Sequence, residues 1–308
     1  MSATIFEKEI IALHVEMPTA THKNCLICTS SDLETLETYS EVGLVKCRSC
    51  NFVFSKRIPS MQELVDYYSN NYERTNYLSP ITVKRFNEIL DRFEPHRKTG
   101  KLLDVGAGYG FFMEVAKERG WDVYGTELTD EAVKHCEAKG LKMFKGEFHE
   151  LEIEPESFDV IVSIEVLEHV NTPVQYAKKA NEILRKGGVL YMTTPNFNSI
   201  LRYRLKEQYN VIEYPNHLCY YTPQTFQNLF TSHGFQKLEI KTTGISLTRL
   251  RTSKGKSDQE YVCETSDDEM LRYRIEKNPA LKVMKSSTNG VLNLLKKGDS
   301  LKGYFQKK

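Results

Sequence analysis

The chain lacks a net charge, a long apolar run and an abundance of tryptophan. Its 308 residues carry 42 lysines and arginines against 41 aspartates and glutamates, so the formal net charge is +1. The basic field that drives sequence-independent nucleic-acid binding is therefore missing, and RNA or DNA partners are disfavoured. The apolar run at residues 10–15 is far too short to cross a bilayer, so we expect no membrane span and a cytoplasmic protein.

Cysteine is present in an unusual pattern. Four of the seven cysteines form Cys25-x-x-Cys28 and Cys47-x-x-Cys50, with 18 residues between the two pairs. Two such turns brought together by a hairpin supply four thiolates in the tetrahedral arrangement that Zn²⁺ prefers. Because thiolates would fill every position, the spacing predicts a structural zinc ribbon. Reduced thiols without metal and a redox pair remain alternatives.

Three glycines at alternate positions follow the strand-like residues 101–103 and precede a helical pattern. Gly106, Gly108 and Gly110 allow a sharp turn and a close approach to a ligand at the start of the next helix, which predicts a nucleotide-like ligand. A dinucleotide fingerprint would need its third glycine at Phe111, one residue later, so NAD is disfavoured.

Acidic residues flank the glycines in the sequence. Asp104 stands just before them, and Glu127 ends the next predicted strand, where its carboxylate could accept hydrogen bonds from both ribose hydroxyls of S-adenosylmethionine. With the step at Gly146-Glu147-Phe148 and the run from Ser157 to Val170, these landmarks make residues 80–250 resemble the class I S-adenosylmethionine-dependent methyltransferases, especially the small-molecule branch that includes the ubiquinone-biosynthesis type.

The resemblance implies an α/β fold with a Rossmann-like, seven-stranded, mostly parallel sheet flanked by helices. Alternating strand and helix patterns agree with it, and the last, antiparallel strand is expected near residues 245–250. The residues expected to bind S-adenosylmethionine are Asp104, Gly106, Gly108, Gly110, Glu127, Glu147, Phe148 and Glu165.

Five segments organise the predicted chain. Residues 1–20 form a lead-in, 21–58 the zinc ribbon, and 59–98 a helical connector whose tyrosines, among them Tyr68 and Tyr72, make it a candidate lid. Residues 99–250 form the methyltransferase domain, and 251–308 a polar linker with a C-terminal helical extension. The sequence leaves open whether the chain forms a homodimer.

Two histidines are candidates for a general base. Methyl transfer to an alcohol requires that its proton be removed as the new bond forms, and histidine suits that task near neutral pH. His169 follows predicted strand four, where the resemblance implies a loop that touches cofactor and acceptor. His217 lies in a segment similar to the acceptor-facing P-x-H-L of sugar and small-molecule methyltransferases. Helix capping or a carbonyl hydrogen bond is an alternative role for His169.

The acceptor is expected to be a small molecule or glycan. Asn196, Tyr220 and Tyr221 are the candidate substrate contacts, because they follow predicted strand five or lie on a probable hairpin strand. The resemblance of the ribbon and P-x-H-L layout to sugar-modifying members favours a sugar hydroxyl and polysaccharide biosynthesis. Alternatives are a quinone, a lipid, a secondary metabolite, a sugar amine or carbon, an RNA, or cofactor binding without catalysis.

Overall fold

The computed structural model describes residues 20–60, 62–64, 67, 77–252 and 267–308. The predicted lead-in through residue 19, the part of the candidate lid that includes Tyr68 and Tyr72, and the linker at 253–266 lie outside these ranges. Within them the α-helices are α1 (Pro80–Phe93), α2 (Phe111–Glu118), α3 (Asp130–Ala138), α4 (Pro173–Ile183), α5 (Ile200–Leu205), α6 (Pro223–Thr231), α7 (Leu247–Thr252), α8 (Asp267–Lys277) and α9 (Pro279–Leu294). No helix of the described residues is long and apolar enough to cross a membrane.

The strands form two sheets. They are β1 (Leu33–Thr35), β2 (Leu44–Cys47), β3 (Val53–Ser55), β4 (Lys101–Val105), β5 (Asp122–Glu127), β6 (Lys142–Lys145), β7 (Phe158–Ile164), β8 (Leu184–Pro195), β9 (Cys219–Tyr220), β10 (Phe235–Thr243) and β11 (Ser300–Lys307). One sheet has seven strands in the order β10-β11-β8-β7-β4-β5-β6, and the other has four in the order β1-β2-β3-β9. The large sheet carries the mostly parallel arrangement that the sequence predicts.

The antiparallel strand of the large sheet comes from the very end of the chain. β11 pairs antiparallel with both β8 and β10 and so lies inside the sheet. The prediction of this strand at residues 245–250 is wrong, because Gly244 turns the chain with a φ of +80° and Leu247–Thr252 is helical. The boundary predicted at residue 250 therefore divides the sheet, and the C-terminal extension contributes a central strand as well as helices.

Local sequence explains the elements around β4. Ser79 caps α1 by accepting a hydrogen bond from the Ile81 amide at 3.1 Å, and Gly110 gives α2 its start with a left-handed φ of 77°. The buried Asp159 carboxylate at the start of β7 accepts hydrogen bonds from three consecutive amides, residues 98–100, each at 2.7 Å. These contacts fix the entry to β4 and hence the position of the loop that follows it.

The cysteine-rich segment is joined to the large domain through its sheet. β3 pairs with β9, Val53 opposite Tyr220 and Phe54 opposite Cys219, and the Ser55 amide donates to the Leu218 carbonyl at 2.8 Å. The small sheet therefore includes a strand that directly follows His217.

The C-terminal helices pack on α1. The Ser79 hydroxyl donates to the buried Glu269 carboxylate of α8, and Lys84 of α1 forms a 2.9 Å ion pair with Glu276. These contacts bring α8, and α9 packed beside it, to the side of the sheet where β8 ends and β11 begins.

Candidate active site

The loop after β4 and the end of β5 meet at Glu127. One Glu127 carboxylate oxygen accepts a 2.9 Å hydrogen bond from the Gly108 amide, and the other accepts a 2.8 Å bond from the Leu128 amide. Both carboxylate oxygens thus accept backbone hydrogen bonds that fix Glu127 beside the glycine loop. The two segments that the sequence assigns to the cofactor are thus brought into direct contact.

The glycines of this loop serve different purposes. Gly106 and Gly110 have φ values of 69° and 77°, and a β-carbon at either would lie within 2.6 Å of Val166 or Leu141. Gly108 also has a positive φ, 58°, yet a β-carbon there would meet nothing within 4 Å. Gly106 and Gly110 permit packing, whereas Gly108 borders open space in which a ligand could approach the backbone closely.

Asp104 lies beneath this loop with only 4% of its surface exposed. Burial, and secondarily the negative charge of Glu127, raise its pKa to about 8. None of the hydrogen bonds between described residues involves its carboxyl group. A cationic or hydrogen-bond-donating ligand group beside Asp104 would stabilise the ionised form.

The loop after β7 holds two glutamates against the end of β8. Glu165 has a left-handed φ of 54° and accepts a 2.7 Å hydrogen bond from the Thr193 hydroxyl. Glu168 is buried and accepts a 2.9 Å bond from the Thr194 hydroxyl. Burial raises the pKa of both carboxyl groups. Glu165 itself keeps accessible surface, at the candidate cleft between the glycine loop and the end of β8, whereas Glu168 is buried.

The two candidate bases are neighbours in the structure. The rings of His169 and His217 are 4.8 Å apart between centroids. His169 Nδ1 lies 2.7 Å from the Asn216 carbonyl oxygen, and His217 Nδ1 lies 2.6 Å from the Val211 carbonyl oxygen. A carbonyl oxygen only accepts, so both Nδ1 atoms must carry the proton, which leaves each Nε2 with a free lone pair.

Both imidazoles are held in the neutral form. Burial lowers the pKa of His169, and burial together with the charges of His169 and Arg249 lowers the pKa of His217 to about 3. Ligand atoms of Glu168, His169 and His217 also lie within 4.8 Å of one another, a grouping that could hold a metal ion. At neutral pH both Nε2 atoms are therefore unprotonated and can accept a hydrogen bond, but a pKa of about 3 makes His217 a weak proton acceptor in the free protein.

Not every residue predicted for the site faces a ligand. Asn196 is fully buried, and its amide donates to the backbone carbonyls of Lys296 and Gly298. The Tyr220 hydroxyl donates to the His217 carbonyl, and Tyr221 is buried against Phe52. The predicted substrate contacts of Asn196, Tyr220 and Tyr221 are wrong, because these side chains pack or bind backbone inside the protein.

The two residues after β6 that were predicted to bind the cofactor, Glu147 and Phe148, differ in their surroundings. Phe148 is buried and packs on Tyr176 with ring centroids 4.7 Å apart, so it acts mainly as a core residue. Glu147 keeps a largely exposed carboxylate, 3.5 Å from Nδ1 of His149. Its role toward the cofactor stays a prediction.

The four cysteines of the ribbon converge. The sulfur atoms of Cys25 and Cys50 are 3.5 Å apart, as are those of Cys28 and Cys47, and all four lie within 4.8 Å of one another. Zinc with Zn–S bonds of about 2.3 Å at tetrahedral angles requires sulfur separations of roughly 3.8 Å. The sulfur cage therefore has the size that such an ion needs.

The two Cys-x-x-Cys turns have the same backbone geometry. The residues that directly follow them, Thr29 and Asn51, both have left-handed φ values, 60° and 62°. Their amides donate to the carbonyls of Cys25 and Cys47, the first cysteine of each pair, at 3.0 and 2.8 Å. A left-handed threonine costs free energy, so its occurrence in one of two matching turns fits a backbone constrained by a shared ligand.

Sequence reasoning missed two cationic side chains at the cleft. The charge of Arg249 on α7 acts on Glu165, Glu168 and His217, and the charge of Lys302 on β11 acts on Glu165. Residue spacing could not reveal either one, because both belong to segments that were assigned to another strand or to a terminal extension.

Comparison with known families identifies the large domain. The family profile described as a methyltransferase domain matches residues 77–240, just over half of the chain. A ubiquinone biosynthesis O-methyltransferase of Roseobacter denitrificans is 30% identical over 131 residues, which are 41% of this chain and 52% of that protein. One from Idiomarina loihiensis is 34% identical over 105 residues, which are 32% of this chain and 43% of that protein. The chain thus spans about half the length of the curated relatives it matches.

Solved structures confirm the predicted fold class. The crystal structure of a SAM dependent methyltransferase from Archaeoglobus fulgidus matches 79% of this chain and 100% of that chain, with a TM-score of 0.53 and 18% identity. Phosphoethanolamine N-methyltransferase 2 of Haemonchus contortus, in complex with S-adenosyl-L-methionine, matches 83% of this chain and 61% of that chain, with a TM-score of 0.51 and 17% identity. At these identities the likeness concerns the fold.

Proposed function

The chain belongs to the methyltransferase domain family, and on that premise we propose that it transfers a methyl group from S-adenosylmethionine to a hydroxyl group of a small acceptor. One observation carries the proposal: the glycine loop is in contact with the loop after β7, which carries His169, and His169 in turn lies against His217. A β-carbon at Gly106 would collide with Val166, three residues before His169. A ligand on the glycine loop would therefore have a base nearby.

Cofactor binding is assigned to the ends of β4 and β5. Glu127 would accept the ribose hydroxyls while its bond to the Gly108 amide holds the loop closed, and Gly108 would leave space for the ligand. Asp104 would accept a hydrogen bond from a cationic group of the cofactor, which would restore its ionised state. S-adenosylmethionine supplies an electrophilic methyl group on a sulfonium sulfur.

Proton removal is assigned to the histidine pair. The free Nε2 of His217 or His169 would take the hydroxyl proton of the acceptor as its oxygen attacks the methyl carbon in line with the leaving sulfur. The carbonyls of Val211 and Asn216 fix both rings in the required tautomer. The proton would end on imidazole, and the methyl group on the acceptor oxygen.

The names of the curated relatives support a ring hydroxyl as the acceptor. The relatives from Roseobacter denitrificans and Idiomarina loihiensis are named ubiquinone biosynthesis O-methyltransferases, which favours the quinone alternative over the sugar hydroxyl that the sequence layout suggested. We therefore propose a hydroxyl on the ring of a quinone precursor as the leading acceptor and keep sugar hydroxyls as a comparison in the assay.

We also propose that the four ribbon cysteines bind one structural Zn²⁺. The size of the sulfur cage and the two matching turns support this assignment. With four thiolates around it, the ion would have no open position for substrate, so its effect would be to stabilise the small sheet.

The first experiment measures cofactor binding and turnover together. Calorimetry with S-adenosylmethionine would be run beside an assay of S-adenosylhomocysteine release from ring-hydroxylated quinone precursors, nucleotide sugars, glycans and RNA. Turnover that is confined to the ring hydroxyls supports the proposal. Turnover only with sugars would identify a sugar hydroxyl as the acceptor instead. A protein that does not bind S-adenosylmethionine would refute the function altogether.

A further inference from the structure

Lys302 lies on β11, the second strand from one edge of the large sheet. In the register of β11 it stands opposite Thr193 of β8 and opposite Lys241 of β10. Thr193 is the residue whose hydroxyl binds Glu165, at 2.7 Å. Cross-strand partners place their side chains on the same face, so Lys302 shares a face with Thr193 and the carboxyl group that Thr193 binds.

Lys302 lies too far from the glycine loop to serve the same part of a ligand. β7 and β8 separate β4 from β11 in the sheet. At about 4.8 Å between neighbouring strands, three steps put β11 roughly 14 Å from β4. Lys302 is therefore three strand spacings away from the residues proposed to bind the cofactor.

Two cations at this side lack a carboxylate partner. Among the residues that the structure describes, neither Lys302 nor Arg249 has a carboxylate oxygen within 4.0 Å. Two neighbouring lysines differ, since Lys241 pairs with Glu239 at 2.5 Å and Lys285 with Glu276 at 3.9 Å. Arg249 lies over the Tyr209 ring, 6.0 Å from its centroid, so its neighbour among the described residues is aromatic rather than acidic.

The setting of Lys302 favours a ligand with negative charge. The residue is half-buried, and its ammonium group is near further cations on α1 and α9, Arg85 and Lys285. Burial and then these neighbouring charges lower its pKa. Desolvation and like-charge repulsion both disfavour an isolated ammonium group, and an anion bound here would relieve both costs.

The backbone conformation of Glu165 is a second observation that favours a binding site here. A left-handed glutamate is uncommon, and such residues gather where a ligand is bound. Its carboxyl group is within reach of the charges of both Lys302 and Arg249 but is in ion-pair contact with neither.

We propose that Lys302 and Arg249 form a binding site for an anionic group of the acceptor, a phosphoryl or carboxyl group, beside Glu165. The inference rests on the proposed methyl transfer, and it specifies the class of acceptor: a hydroxylated molecule that carries a negative charge several ångströms from the hydroxyl group. Arg249 would form a planar, two-bond contact with the oxygens, and Lys302 would contribute a point charge.

The test uses the full chain saturated with S-adenosylhomocysteine and two probes, inorganic pyrophosphate and benzoate, titrated by calorimetry. We expect wild-type protein to bind at least one probe, and Lys302→Met and Arg249→Gln to weaken that binding at least tenfold. Lys302→Arg should restore most of it. Tighter binding of pyrophosphate identifies a phosphoryl acceptor, and tighter binding of benzoate identifies a carboxylate acceptor.

Lys237→Met is the matched control, because Lys237 lies exposed on β10, opposite Phe305 and away from Lys302. It removes the same charge and should leave probe binding unchanged. Equal affinity for both probes in wild type and Lys302→Met, or no binding of either probe by wild type, would overturn the inference. Affinity for S-adenosylhomocysteine, measured first in each variant, separates that result from a failure of the proposed function.

Discussion

Replacing Cys47 with serine is expected to slow methyl transfer far more than it weakens cofactor binding. Cys47 ends β2, β2 pairs with β3, and β3 pairs with Cys219–Tyr220 directly after His217. The Ser55 amide adds a hydrogen bond to Leu218. Loss of the proposed zinc ion would loosen this small sheet, and His217 would lose the strand that holds it in place.

The size of the effect follows from the contacts between β3 and the residues after His217. Two register pairs and the Ser55 bond amount to about three backbone hydrogen bonds, each worth about 1 kcal/mol. Removing about 3 kcal/mol could lower the population of correctly placed His217 by about a hundredfold at most, because 1.4 kcal/mol is tenfold. We therefore expect kcat to fall about ten- to a hundredfold. The glycine loop is held by Glu127 instead, so affinity for S-adenosylmethionine should change less than about threefold.

The assay compares wild type, Cys47→Ser and a control, Ser49→Ala, which alters the same turn but keeps all four thiols. Zinc content, cofactor affinity by calorimetry and kcat for S-adenosylhomocysteine release are measured on the same preparations. Ser49→Ala should match wild type, since its side chain bonds only to the Ser30 hydroxyl on the exposed face. A Cys47→Ser protein that loses zinc yet keeps the wild-type kcat would refute the link between the ribbon and the base.

Three further predictions concern the cleft. Glu127→Ala should weaken S-adenosylmethionine binding at least tenfold, or about 1.4 kcal/mol, because the carboxylate is both a ribose acceptor and the anchor of the Gly108 amide; unchanged affinity by calorimetry would exclude that role. His217→Ala and His169→Ala should each lower kcat more than cofactor affinity, whereas equal loss of both would assign the ring a structural role. The pKa of Asp104 is about 8 in the folded state and about 3.9 in the unfolded state. Between these pH values only the folded state holds the proton, so the stability of the free protein should decline as the pH rises from about 4 to about 8. Thermal melting of Asp104→Asn should show a shallower decline, and identical pH slopes in the two proteins would contradict the assignment.

The turn of the glycine loop could be predicted because short sequence spacings encode it. Alternate glycines after a strand dictate a left-handed turn, and the structure gives Gly106, Gly108 and Gly110 the positive φ values that this turn requires. The same holds for the ribbon, where two Cys-x-x-Cys turns with equal geometry bring the sulfurs together. In both cases the information lies within a few consecutive residues.

The last strand could not be predicted in the same way. Residues 245–250 have the β-branched and alternating apolar character of a strand, yet they lead into helix α7. Instead, Ser300–Lys307 forms the strand between β8 and β10, and seven of its residues pair with β8. Long-range pairing and packing decide which of the two short segments enters the sheet. The local sequence pattern of either segment does not determine this choice.

The proposed acceptor side of the cleft is assembled from remote parts of the chain, which explains why the sequence pointed to His217 but not to Arg249 or Lys302. His217 is positioned by a strand shared with the ribbon, Lys302 by a strand at the C-terminus, and Arg249 by the short helix α7. The cofactor side instead comes from one continuous strand-loop-helix segment and the strand beside it. Substitutions in the remote parts could therefore change the acceptor while the glycine loop stays intact. Arg249 and Lys302, which we propose as contacts of the acceptor, both lie outside the residues 77–240 that match the methyltransferase domain family, so the proposed anion site would be a feature of this chain beyond the family profile.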